Sequence, residues 1–136
     1  MTPASYLADT SALARILAKP AEYEHWNQAM VHGVVAVCPL TELELLFSAR
    51  SQPHRAELAT LFNRLLLPID LDDRDYRRAW QIQELLTSQG EHRSAGPVDL
   101  VVAACAELRG LTLVHCDGDF ETIARLTGQG THRVSG

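Results

Sequence analysis

Asp9, Asp99, Asp117 and Asp119 stand where the surrounding residues give a solvent-facing acid no obvious reason to be. Asp99 is the most informative. It opens the run Val98-Asp99-Leu100-Val101-Val102-Ala103-Ala104-Cys105-Ala106, which is apolar nearly all round and therefore belongs inside the protein. Val102 and Ala103, three and four residues on, offer it no partner. A first-turn carboxylate gains about 0.3–1 kcal/mol from the helix dipole, against several kcal/mol for burying a charge unpaired, so a cation or an arginine is expected to face it. Asp9, Asp117 and Asp119, taken singly, are equally well explained as helix caps or turn residues. Two glutamates, Glu42 and Glu44, flank the expected core stripe Leu40, Leu43, Leu46 and Phe47 of one helix, and periodicity does not choose between them.

The elements that must position these acids follow from pattern. Tyr6-Leu7-Ala8 reads as a short buried strand ending at Asp9, followed by a helix with Leu13, Ile16 and Leu17 at apolar spacing. Pro20 ends or interrupts that helix, and a second runs from Ala21 to His32. Residues 34–38 form a β-branched strand apolar on both faces, and Pro39 starts a helix to about Arg50. A helix from Pro53 to Leu67, a brief strand at Pro68-Ile69 and a long helix from Arg74 to Gln89 follow, the last with Tyr76, Ala79, Trp80, Gln83 and Leu86 at helical period. A polar connection over 90–96, expected as the most mobile segment, leads to the helix Val98 to Arg109. Residues 111–115 form a strand, Phe120 to Leu126 a short helix, and Thr131 to Val134 an edge strand. The expected fold is α/β, one domain over 1–136, with a mostly parallel central sheet of four to five strands flanked by helices. Sites in such sheets lie outside the carboxyl ends of the strands.

That placement brings the acids together, because Asp9 and Asp117 end two strands and Asp99 opens a helix at the same end of the sheet. Carboxylates about 5 Å apart repel by roughly 3 kcal/mol at an effective dielectric of about 20, so three or four cannot all stay ionised without counter-charge. An all-oxygen set with no cysteine or histidine cluster selects a hard ion, Mg²⁺ or Mn²⁺, the basis of metal-assisted phosphodiester hydrolysis.

Composition narrows the alternatives. The chain has 136 residues, a net charge of −5, eleven arginines and one lysine, Lys19. No Gly-Lys-Ser/Thr run exists for a phosphate-binding loop, and Lys19 comes too early for a phosphotransfer or phosphatase domain using Asp9 as nucleophile, which would also want a second acid where Ser11 stands. The acidic balance argues against a DNA-coating protein. Cys38, Cys105 and Cys116 lack zinc-ligand spacing and are expected reduced in apolar surroundings, the histidines share no ligand spacing, and His115 is expected to pack at its strand end. Without a membrane-length apolar window, and with Met1-Thr2-Pro3-Ala4-Ser5 unlike a secretory signal, the expected location is cytoplasmic, with no membrane contact.

Four segments, Leu7-Ala8-Asp9-Thr10-Ser11-Ala12-Leu13, Thr41 through Arg50, Pro97-Val98-Asp99-Leu100-Val101-Val102-Ala103-Ala104 and His115-Cys116-Asp117-Gly118-Asp119-Phe120, resemble in order the PIN-domain family, in particular the VapC-type ribonuclease toxins. By this resemblance Asp9, Glu44, Asp99 and Asp117 match the family's catalytic acids. Glu44 is chosen because Thr41 to Leu45 fits the family's Thr-x-x-Glu-Leu pattern. Asp119 matches an accessory acid, with Asp9, Asp99, Asp117 and Asp119 holding the metal, and Thr10 and Ser11 match hydroxyl residues around the first acid. Ser48 stands where many members have glycine. The resemblance implies a Mg²⁺- or Mn²⁺-dependent endoribonuclease acting through a water activated for in-line attack. It also implies a homodimer, and inhibition by a VapB-type antitoxin whose DNA-binding half regulates the operon, so that DNA is met only through that partner. An inert PIN-like binding module is the rival reading. Arg15, Arg50, Arg55, Arg74, Arg77, Arg78 and Arg93 are candidates for RNA contact, while Trp26 and Trp80 are read as core or dimer packing.

Overall fold

A computed structural model describes residues 4–134, so residues 1–3 and 135–136 of the expected 1–136 domain, with most of the N-terminal segment read for a leader, lie outside the described residues. The described residues form β1 (Tyr6–Ala8), α1 (Thr10–Ala18), α2 (Pro20–Val31), β2 (Val35–Val37), α3 (Pro39–Phe47), α4 (Gln52–Leu65), β3 (Leu67–Pro68), α5 (Asp73–Ser88), α6 (Pro97–Leu108), β4 (Thr112–His115), α7 (Gly118–Thr127) and β5 (Thr131–Arg133). All five strands are parallel, in the order β3-β2-β1-β4-β5.

Alternation along the short strands divides the interior between the two faces of the sheet. Leu7, Ala36 and Leu113 face a core built from α5, α6 and α7, while Ala8, Val35, Val37 and Val114 face one built from α1, α2 and α4. Because β1 pairs with β2 on one side and β4 on the other, the strand order reverses beside β1, and the crevice at that reversal opens at the strands' carboxyl ends. Asp9 directly follows β1, and Asp117 follows β4 after one intervening residue, these being the two strands that flank it.

Pro20 both stops α1 and starts α2, as the first residue of the new helix, where its missing N–H costs nothing. Two helices turn a different face inward from the one periodicity suggested. On α3 the buried residues are Thr41 and Leu45, whereas Leu43 and Phe47 are 60% and 91% exposed. This helix is apolar on most sides, so its own pattern sets no preferred face. On α5 the buried line is Asp75, Ala79, Ile82 and Leu86, and Tyr76 and Trp80 lie outside, Trp80 at 70% exposure. The reason is Asp75, which is drawn inward by Arg109, the residue that follows α6, at 2.5 and 3.1 Å. Trp26, by contrast, is a core residue, edge-on to Tyr6 with ring centres 5.2 Å apart. Residues 90–96, expected as a loose loop, are tied down by buried Ala95 and by the Glu91–Arg125 ion pair.

Candidate metal centre

The site grows out of three chain reversals. Asp9, only 4% exposed, ends β1 and caps α1 by accepting the Ala12 N–H at 2.9 Å. Its carboxylate also receives the Ser11 hydroxyl, at 2.8 and 2.9 Å from the two oxygens. The same Ser11 oxygen accepts the Cys116 N–H at 2.9 Å, which fastens the start of α1 to the turn after β4. In that turn Asp117 caps α7 by accepting the Asp119 N–H at 3.0 Å. Asp9 and Asp117 are thus helix caps and also members of a shared pocket, since the capping N–H falls on a single carboxylate oxygen of each.

Asp99 lies half-buried in the first turn of α6, with Asp117 and Asp119 placed so that one oxygen of each falls within 4.8 Å of the others. Burial, followed by the charges of Asp117, Asp9, Glu44 and Asp119, pushes the Asp99 carboxyl up to about 6. The carboxyls of Asp9 and Asp119 are also raised, in both cases chiefly by burial. All five acids therefore share one electrostatic environment. Glu44 reaches it from α3 and accepts the Thr10 hydroxyl at 2.5 Å. Glu42 has no such contact: it is half-buried on α3, and burial alone raises its carboxyl.

No arginine, lysine or histidine forms an ion pair with Asp9, Glu44, Asp99, Asp117 or Asp119 among the described residues. The arginine that Asp99 was expected to face is absent from its surroundings, and further carboxylates stand there instead. The charge-balancing arginines are elsewhere. Arg109 pairs with Asp75, and Arg78 with Glu107, so Arg78 is occupied by a protein partner rather than presented to a ligand. Arg74 likewise pairs with Asp72. A set of oxygen donors with a raised carboxyl and no protein counter-ion suits a hard dication retaining part of its water shell.

One residue of the site carried no sequence signal beyond packing. His115 is fully buried beside Phe120, as expected of a strand end, but its Nδ1 also accepts the Asp117 N–H at 3.2 Å. Burial lowers its pKa, which favours the neutral ring whose Nδ1 is free to accept. Contacts two residues apart leave no trace in periodicity. Of the cysteines, Cys38 and Cys105 are buried and Cys116 is half-buried, all three as free thiols. Ser48, in place of the family's frequent glycine, donates its hydroxyl to the Leu45 carbonyl at 2.6 Å at the end of α3.

A family model described as PIN domain matches residues 6–126. The chain is similar to Ribonuclease VapC2 of Mycobacterium tuberculosis, at 39% identity over 99% of this chain and 96% of the relative. It is similar also to Ribonuclease VapC21 of the same organism, at 41% identity over 91% and 89%. Among solved structures it resembles VapBC2 from Rickettsia felis bound to a promoter DNA fragment, with a TM-score of 0.80 at 16% identity over 98% of this chain and 100% of that one. A DNA-bound VapBC from Salmonella typhimurium gives 0.75 at 24% identity over 96% and 98%. At these identities the structural likeness speaks for the fold.

Proposed function

The chain belongs to the PIN-domain family, and from that premise we propose that it is a Mg²⁺- or Mn²⁺-dependent endoribonuclease, the toxin of a VapBC-type pair, forming one PIN domain over residues 1–136. The observation that carries the reading is the convergence of Asp9, Glu44, Asp99, Asp117 and Asp119 with none of them held in an ion pair by a basic side chain among the described residues. Relatives at about 40% identity that are named ribonucleases supply the substrate class.

Asp99, Asp117 and Asp119 would hold the ion together with Asp9, and Glu44 borders them from α3. When bound, the dication supplies charge neutralisation at a phosphodiester and a nucleophilic water at neutral pH. The protein's own part is positioning. Ser11 fixes the Asp9 carboxylate against the Cys116 turn, Thr10 holds Glu44, and the α7 cap and the His115 contact hold Asp117 in place. Asp99, with its carboxyl near 6, is predominantly ionised at neutral pH and presents a charge for the metal to offset. No single residue is assigned as general base.

The partners follow from the same family membership: an RNA substrate, a second copy of the chain in a homodimer, and a VapB-type antitoxin, with DNA engaged only through that antitoxin. No helix among the described residues is long and apolar enough to cross a membrane, which accords with action in the cytoplasm. Purified protein assayed on total cellular RNA with Mn²⁺ and with EDTA tests the reading, alongside Asp99→Asn. Cleavage that needs Mn²⁺ and is absent in Asp99→Asn supports it; cleavage retained in that variant removes the acids from the mechanism.

A further inference from the structure

A chain of net charge −5 that gathers its acids at one site must offset their repulsion of a polyanion before RNA rests beside them. A cavity of about 360 Å³ opens next to the acid pocket, lined by Ser11, Ala14, Arg15, Ala18, Lys19 and Cys116. It is continuous with the site through Ser11, whose hydroxyl touches both Asp9 and the Cys116 amide. Arg15 follows Ser11 by one helical turn on α1, and Lys19, the residue that caps the end of that helix, lines the same cavity, so the two cations flank one groove. Ala14 and Ala18 are exposed and keep the floor between them low. Pro20 bends the chain after Lys19, whose backbone N–H is held by the Arg15 carbonyl at 3.0 Å.

Neither Arg15 nor Lys19 enters an ion pair among the described residues, whereas Arg74, Arg78, Arg109, Arg125 and Arg133 are all engaged by protein carboxylates. We propose that this groove is the track on which single-stranded RNA enters the acid pocket, with Arg15 and Lys19 each taking one backbone phosphate. The proposal rests on the nuclease reading above. The guanidinium fork of Arg15 matches two phosphate oxygens and Lys19 adds a point charge, a combination that grips the backbone without reading sequence. An acidic protein segment is the other polyanion of matching charge, but the groove adjoins through Ser11 the residues that would cut a phosphodiester, which favours RNA.

The test is fluorescence anisotropy of a labelled single-stranded RNA oligonucleotide of mixed sequence. It is run across a series of NaCl concentrations in an Asp99→Asn background that leaves the RNA intact. Adding Arg15→Gln and Lys19→Gln makes the plot of log affinity against log salt shallower by about 1.4, at ~0.7 for each cation lost on a single strand. Affinity at about 0.1 M salt then falls roughly tenfold or more. Arg64→Gln on α4, added to the same background, leaves the slope unchanged, and circular dichroism verifies folding of each variant. An unchanged slope in the double variant overturns the groove assignment alone, and so does an equal effect per charge at Arg64. Loss of binding to a poly-glutamate peptide with the RNA slope intact overturns it in favour of an acidic protein segment. No salt-dependent RNA binding in the background protein overturns the nuclease reading and this proposal together.

Discussion

The hydroxyl of Ser11 accepts the backbone N–H of Cys116 at 2.9 Å, a bond between residues 105 apart in the chain, and it does so while its own proton is directed at Asp9. One oxygen atom therefore sets the spacing between two strand ends that each carry an acid. Ser11→Ala removes both bonds and leaves a small side chain on a helix surface. The expected outcome is a loss of Mn²⁺ affinity of about tenfold or more, the range for residues that orient metal ligands, with little change in thermal stability. Titration calorimetry of the two proteins decides it, and wild-type affinity in Ser11→Ala would show that the tie is incidental.

The carboxyl of Asp99, pushed up to about 6, gives the metal-free protein an unusual pH response. Its folded value lies above the unfolded one of 3.8, so the folded state holds the proton more tightly, and this group's stabilisation is lost as pH rises from about 4 through 6. Above that window the ionised, partly solvated carboxylate is a net cost to the metal-free fold. Asp99→Asn relieves it: without metal at pH 7.5 the variant melts several degrees above the parent, yet gains nothing from added Mn²⁺. In the parent, Mn²⁺ affinity declines as pH falls through about 6, because protonated Asp99 is no ligand. A lower melting temperature for metal-free Asp99→Asn would contradict the crowding of charge described above.

His115 tests whether a buried ring at a strand end does more than fill space. Asparagine places a polar atom close to where Nδ1 lies and glutamine places one close to Nε2, while phenylalanine keeps the ring and loses the acceptor for the Asp117 N–H. Mn²⁺ affinity should therefore be best preserved in His115→Asn, and fall severalfold in His115→Gln and His115→Phe. Equal affinity in all three would reduce His115 to packing against Phe120.

Asp75 and Arg109 form an ion pair remote from the metal centre, with Asp75 wholly buried and Arg109 reaching in from the surface to bond also the Asp70 and Cys105 carbonyls. Burial alone would raise the Asp75 carboxyl, but the Arg109 guanidinium and the Asp72 N–H hold it below the usual carboxylate range. Its contribution is present above the unfolded value of 3.8 and disappears as pH drops through the lowered folded one. Arg109→Met strands a buried carboxylate and costs about 3 kcal/mol in urea unfolding at pH 7, with the loss shrinking toward pH 3. Metal affinity stays at the parental value.

Much of this molecule was legible in one dimension. Strand-acid-helix at residues 6–13 and again at 112–120 specifies both the parallel sheet and the location of Asp9 and Asp117, because an acid after a buried strand is at once a helix cap and a residue at the open end of the sheet. The apolar surroundings of Asp99 announced its half-buried state. Glu44 was separated from Glu42 only by resemblance to a family, and the structure supplies a physical reason in the Thr10 contact.

Sequence by itself determined which side chains carry charge, where helices and strands alternate, and at which end of the sheet the acids must collect, since all of these follow from local period and chain direction. The tertiary structure alone decided which sides of α3 and α5 turn inward, that Arg109 answers Asp75 rather than Asp99, and that Ser11 meets Cys116. The division has one cause. Periodicity reports the face a segment would bury if it were the sole element present, but a helix apolar on several sides, or an acid with several arginines to choose from, is settled by the neighbour that packs against it.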